Sequence, residues 1–203
     1  MAGRFIVLEG GEGTGKSTLA AALGRRLVAN GTDVELTREP GGTSVGELVR
    51  GLLHEKLVPW AETFAFLTAR AQLVTTVIRP ALERGSTVIC DRFAASTFAY
   101  QGYARGLDLA LLRTANAIAT GGLEPGLTLF LDLDPAVGLA RKGGEAEAIR
   151  TGLEALAFHE RVRAGYRTLA AEAANGTWVT LDASLPPAEV EASAWAALAG
   201  RRP

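Results

Sequence analysis

The stretch Gly10-Gly11-Glu12-Gly13-Thr14-Gly15-Lys16-Ser17 constrains this chain more than any other. It fits the spacing G-x-x-x-x-G-K-[ST], in which main-chain N–H groups wrap around a phosphate. The glycines are needed because such a loop takes backbone angles that a Cβ obstructs. The flanking residues fit the same purpose. Phe5-Ile6-Val7-Leu8 reads as a strand buried on both faces, and residues 16–29 read as a helix with Leu19, Leu23 and Leu27 at spacing four. A helix opening there turns the positive end of its dipole toward the same anion. The chain holds three lysines, Lys16, Lys56 and Lys142, and one of them falls on the lysine of the motif. Lys16 can reach β- and γ-phosphates, and the Ser17 hydroxyl can ligate Mg²⁺. The motif with its neighbour Thr18 points to a bound nucleoside triphosphate. It leaves open whether that nucleotide drives a switch, a motor or a kinase.

Strand and helix patterns alternate along the rest of the chain. Residues 33–37, 87–91, 127–131 and 177–181 read as further strands, with helical patterns around 45–53, 62–84, 107–120, 153–173 and 188–198. Phe158, Val162, Tyr166 and Leu169 form one apolar stripe on the fourth of these helices. The alternation predicts an α/β fold of three layers, a five-stranded parallel sheet with helices on both faces. With 203 residues, 48% of them hydrophobic, the chain suits a single domain spanning 1–203. The formal net charge of -1 gives no electrostatic case for binding a nucleic-acid polymer. The lone Cys90 excludes an internal disulfide, and no apolar run is long enough for a membrane span or shaped like a signal peptide. A cytoplasmic location follows as the default. The charged segment 141–150, RKGGEAEAIR, breaks the apolar periodicity and reads as a mobile flap or as a solvated loop.

Asp91-Arg92 falls at the C-terminal end of the third strand, the edge where open α/β sheets bind ligands. Asp91 suits the Mg²⁺ shell, and Arg92 has the planar, always-charged fork that stabilises a transferring phosphoryl group. The run continues through Phe93, Ser96, Thr97, Tyr100, Gln101 and Gly102, joining an acid, a base, hydroxyls, aromatics and an amide. Here the chain resembles the bacterial thymidylate kinases, whose pattern D-R-[aromatic or His]-x-x-S-[ST]-x-A-Y-Q-G it matches almost throughout. Residues 5–18, with Glu9 and Glu12 in place, are similar to that family's F-I-x-x-E-G-x-[DE]-G-x-G-K-[ST]-T. Residues 37–43 resemble its T-R-E-P-G-G-T, Phe66 and Arg70 its F-x-x-x-R, and residues 158–166 its late helix.

The resemblance implies a P-loop kinase fold that transfers the γ-phosphoryl group of ATP to thymidine monophosphate, with Mg²⁺, in a homodimer. It implies that Phe66 stacks on the base while Arg70 meets a base carbonyl and helps hold the acceptor phosphate. Thr97 and Gln101 bond the base edge, and Tyr100 crowds the sugar 2′ position. Glu12 faces the 3′-hydroxyl or the metal, Arg92 spans both phosphates, and Glu39 and Arg50 line the acceptor side. Read by residue type alone, Phe66 also suits the core, Tyr100 an interface and Arg50 a solvated helix face. Some members of the family carry a basic residue inside the phosphate loop, where this chain has Gly13. Members with glycine there draw the transition-state arginine from the flap, which makes Arg150 and Arg141 the catalytic candidates beside Lys16 and Arg92, with Lys142 in support.

Overall fold

The computed structural model describes residues 3–143, 155–174 and 176–200. Among them, β1 (Phe5–Glu9), β2 (Val34–Arg38), β3 (Thr87–Asp91), β4 (Leu127–Asp132) and β5 (Trp178–Asp182) form one parallel sheet in the order β2-β3-β1-β4-β5. The helices, in chain order, are α1 (Lys16–Ala29), α2 (Ser44–Leu52), α3 (Pro59–Leu73), α4 (Arg79–Glu83), α5 (Ala94–Thr97), α6 (Leu109–Thr120), α7 (Pro135–Arg141), α8 (Leu156–Glu172) and α9 (Pro187–Ala199). Strand side chains alternate between two dry layers. Ile6, Leu8, Ile89 and Leu129 pack against Leu19, Leu23 and Leu27 of α1 and Val190, Ala194 and Leu198 of α9. Phe5, Val7, Val88 and Cys90 face the other way, onto Leu73 and Ala81. Phe130, on that same face, meets the stripe Phe158, Val162, Tyr166 and Leu169 of α8. Helices therefore cover both faces of the sheet, as the alternation of patterns predicts.

Several boundaries differ from the sequence expectation for local reasons. The helix expected over 62–84 starts at Pro59, in the first turn, where a missing N–H costs nothing. It is not uniform: Pro80 lacks an N–H and its ring crowds the carbonyl of Thr76. The winding widens to a π-type stretch, Val74–Ile78, before α4. The helix expected from 107 starts at Leu109 because the Asp108 side chain caps it, accepting from Leu111 N at 2.9 Å. The strands expected at 33–37 and 177–181 lie one residue further on. The charged segment does not begin at Arg141, which closes α7, a helix capped by Asp134 and opened by Pro135. The remainder of the expected flap, from 144 to 150 and including Arg150, lies outside the described residues, as do 153 and 154 of the late helical pattern. No helix among the described residues is long and apolar enough to cross a membrane.

Candidate active site

The sheet order fixes where a ligand can sit. β1 pairs with β3 on one side and β4 on the other; the chain leaves β1 toward β2 and leaves β4 toward β5, and these diverging connections open a crevice above the C-terminal end of β1. The glycine-rich loop fills that position. Gly10, Gly13 and Gly15 all have positive φ (148°, 66° and 89°), and Gly15 stands at the N-terminus of α1 in the left-handed region. No side chain caps α1, so its first N–H groups remain free to meet an anion. The helix is held instead by its buried leucines, each contributing about 1.5–3 kcal/mol.

Lys16 folds over this loop, donating from Nζ to Gly11 O at 2.6 Å and lying 3.3 Å from Thr14 Oγ1. Burial, followed by the neighbouring Arg92 charge, pulls its ammonium down to about 7. The Ser17 hydroxyl donates directly to Asp91 Oδ2, from the first turn of α1 to the end of β3. Two hard oxygens thus stand side by side beside the loop. That donor set fits Mg²⁺, which takes one or two protein oxygens and completes its shell with phosphate and water.

The loop lines a cleft of about 510 Å³ together with Arg38, Glu39, Arg50, Asp91, Arg92, Arg141 and Lys142. Six basic side chains face three acidic ones there, in a chain whose net charge is -1. The positive field is therefore concentrated where a polyphosphate would lie. Arg141 reaches back from α7 to donate to Gly13 O at 3.2 Å and Ala183 O at 3.3 Å. Two glycines permit that approach: a Cβ on Gly13 would stand 2.1 Å from Gly138 O, and one on Gly138 would stand 2.2 Å from Glu12 O. Gly13 therefore has no room for a side chain in this chain.

A second cavity of about 370 Å³ adjoins the first and is lined by Phe66, Arg70, Ser96, Thr97, Tyr100, Gln101, Leu53 and His54. Glu12, Glu39, Pro40, Arg50 and Arg92 line both. Phe66 is half-buried on this wall while Ala65, Leu67 and Ala69 beside it face the interior. The residue that could have been core is thus turned toward the cavity. Tyr100 and Gln101 come from a π-wound stretch, Phe98–Ala104, that continues α5. Wide turns of this kind recur at functional sites because they re-aim side chains.

Arg70 is 1% exposed and every one of its N–H groups has a protein acceptor within reach. Nε and Nη2 donate to Glu39 Oε2 at 2.8 and 2.6 Å, Nη1 to Thr97 Oγ1 and Asn116 Oδ1 at 2.9 Å each, and Nη2 also to Phe93 O at 3.0 Å. Burial pushes the Glu39 carboxyl up, and Arg70 opposes it. Glu39 Oε1 is buried without a hydrogen-bond partner among the described residues, an oxygen that suits a cation or a water proton at the junction of the two cavities.

Arg92 stands on that junction with φ 72°, alone among the described non-glycine residues in the left-handed region. Such a conformation costs an arginine about 1–2 kcal/mol. Its surroundings hold it there: Nη2 donates to Glu12 at 2.6 Å, Nη1 to Gly10 O at 3.1 Å, and the guanidinium lies 5.2 Å from the Tyr100 ring centre. Arg92 in turn holds the Glu12 carboxyl down to about 2. Tyr100 Oη donates to the same Glu12 oxygen at 3.2 Å.

Apart from Arg150, which lies outside the described residues, and Gly10 and Gly11, which line neither cavity, the residues singled out in the sequence gather in this one place. Glu12, Glu39, Arg50, Phe66, Arg70, Arg92, Thr97, Tyr100 and Gln101 all line the second cavity, and Lys16, Ser17, Thr18, Asp91 and Arg141 the first. Arg50 reaches the junction through a hydrogen bond to Pro40 O. Sequence reading missed Asn116, Arg38 and His54. Asn116 carried a signal: it falls at spacing four between Leu112 and Thr120 on the buried face of α6, where an amide needs a partner. Arg38 carried one as well, as the arginine of the run 37–43, whereas His54 carried none.

Comparison with known proteins points one way. The family model described as Thymidylate kinase matches residues 8–194. A thymidylate kinase of Deinococcus radiodurans is 50% identical over 202 residues, covering 98% of each chain. One from Desulfovibrio desulfuricans is 51% identical over 197 residues, covering 92% of this chain and 90% of its own. Among solved structures, the thymidylate kinase of Ehrlichia chaffeensis superimposes with a TM-score of 0.80 at 29% identity, over 98% of this chain and all of the other.

Proposed function

The chain belongs to the thymidylate kinase family, and we propose from its two joined cavities how its residues move a phosphoryl group from ATP to thymidine monophosphate. The reaction gives thymidine diphosphate and ADP. One observation carries the residue assignment: an electropositive cleft and a largely apolar one share a wall that contains Arg92. ATP lies along the first, its phosphates wrapped by the main chain of residues 10–18 with Lys16 on the outer oxygens. Thymidine monophosphate lies in the second, its ring against Phe66 and its base edge toward Thr97, Gln101 and Arg70. Because Arg70 already uses all its donors, it meets the base only by sharing one, so its first task is to shape the wall. Tyr100 crowds the 2′ side of the sugar, and Glu12 faces the 3′ side.

The acceptor phosphate oxygen is anionic near neutral pH, so the transfer needs no general base. Catalysis is then positioning and charge stabilisation. Arg92 spans both phosphate groups, Glu39 and Arg50 border the acceptor phosphate, and Arg141 and Lys142 approach the donor side. Arg150 is proposed from its sequence position as the second flap arginine. Ser17 and Asp91 would hold Mg²⁺, which would supply positive charge to neutralise the phosphates. The chain acts as one domain, in the cytoplasm, as a homodimer like that implied by the family likeness.

Measuring ATP consumption against a panel of nucleosides and monophosphates tests this reading. Turnover should depend on thymidine monophosphate and give ADP and thymidine diphosphate in equal amounts. Slow hydrolysis indifferent to every acceptor would instead mark a nucleotide-gated switch.

A further inference from the structure

We propose that Glu9 is a positioning residue for the transfer: its buried carboxyl fixes the helix that carries the acceptor wall, and α8 behind it, to the strand that opens the phosphate loop. The inference rests on the reading of the two cavities given above. Glu9 ends β1, immediately before Gly10, and is fully buried. Its Oε1 accepts the N–H groups of Phe93 at 2.9 Å and Ser96 at 3.2 Å. Its Oε2 accepts the Ser96 hydroxyl at 2.7 Å and the Tyr166 hydroxyl at 2.8 Å. The two hydroxyls also stand 2.8 Å apart, which closes a triangle of oxygens.

The need for this carboxyl follows from the helix it serves. A helix start leaves N–H groups without intrahelical partners. Phe93 occupies the cap position before α5 and its side chain offers no acceptor. Glu9 supplies the acceptor from across the sheet edge. The helix so held carries Thr97 directly and Tyr100 and Gln101 one turn later, so its placement sets the depth of the acceptor cavity. Tyr166 extends the tie to α8: its ring stacks on Phe130 with centroids 5.3 Å apart and meets Tyr100 edge-on at 6.4 Å. One side chain thus joins β1, α5 with its π-wound continuation, and α8. Its hydrogen bonds all run to the acceptor side, and toward the phosphate loop it acts through space, as the last of the charges that bear on Lys16.

Steady-state kinetics with thymidine monophosphate varied at saturating ATP, beside direct ATP-binding titrations, test this on the full chain. Glu9→Ala should lower kcat/KM for thymidine monophosphate about a hundredfold, the scale of a misplaced substrate wall, through a raised KM, with a much smaller change in ATP affinity. Glu9→Gln should recover most of the loss, because its amide oxygen still accepts both N–H groups and its NH₂ can donate to both hydroxyls. Tyr166→Phe, which keeps the ring and its packing, should fall between the two. A wild-type KM for thymidine monophosphate in Glu9→Ala, or a parallel loss of ATP affinity, would overturn the proposal. If Glu9→Ala does not fold, an unchanged KM in Tyr166→Phe overturns it equally. A wild-type protein that ignores thymidine monophosphate would instead refute the functional reading and leave the role of Glu9 in the fold untouched.

Discussion

The two cavities that meet at Arg92 are built in opposite ways. The donor side is a contiguous run of main chain, residues 10–18, whose recognition groups are peptide N–H dipoles and whose glycines set the angles. The acceptor side is assembled from side chains on the end of β2, α2, α3 and the winding from Ala94 to Ala104, locked by a buried guanidinium with no spare donor. Main-chain recognition is local and indifferent to which nucleoside carries the phosphates. Side-chain recognition is distributed, and it gives the acceptor its identity. Arg92 belongs to both, which makes it the sharpest probe of the division.

Replacing Arg92 with alanine removes a guanidinium from the wall that both cavities share. The expected loss is in kcat, by roughly a thousandfold, since a preorganised donor aimed at developing charge is worth about that much. Single-turnover mixing with separate binding titrations distinguishes the chemical step from either affinity. If only one nucleotide's binding weakened while the chemical step kept its rate, Arg92 would belong to one cavity and the shared-wall account would fail.

The next largest effect separates the two sides by stability. Glu39 and Arg70 are 3% and 1% exposed and pair at 2.6 Å, so Glu39→Ala strands a buried guanidinium and should cost about 3–5 kcal/mol. Arg141 on the donor side is exposed, and Arg141→Ala should stay within about 0.5 kcal/mol of wild type. Denaturant midpoints measure both. Equal losses would mean that the donor cleft is as dependent on interlocked side chains as the acceptor cavity is.

The same contrast explains which parts of the fold and site the amino-acid sequence makes legible. The phosphate loop, its strand and its helix are adjacent in sequence and obey backbone rules, so their placement followed from spacing alone. The sheet and its two covered faces followed from period-two and period-3.6 patterning. The acceptor wall was legible only as a resemblance, because residues as far apart as Glu39 and Asn116 meet through tertiary packing that no local pattern encodes. Phe66 shows the limit well: its helical spacing from Leu73 also suited the core, and only the turn of α3 shows it on the cavity wall. The winding over residues 94–104 escaped notice as helix because its residues read as chemistry, and its cap, Glu9, lies 84 residues away from Phe93.

The smallest predicted effect concerns protons, and it too is confined to one side. Lys16 is held at about 7 in the ligand-free protein, against an ordinary 10.5, chiefly by burial. Phosphate oxygens favour its charged form, so ATP binding above about pH 7 must take up a proton at this group. Apparent ATP affinity should therefore fall as pH rises between about 7 and 9, by at most about tenfold per unit, the limit for one coupled proton. The linked effect on folding has the reverse sign. Between about 7 and 10.5 the unfolded chain binds more protons at Lys16 than the folded one, so this group makes ligand-free stability rise with pH. Lys16→Met should flatten both slopes, and isothermal titration in buffers of different ionisation enthalpy counts the proton directly. The affinity for thymidine monophosphate should show no matching slope assignable to Lys16 over that range. A pH dependence of equal size on the acceptor side that Lys16→Met also removes would show that the lysine serves both cavities, and would move the boundary between them from Arg92 into the phosphate loop itself.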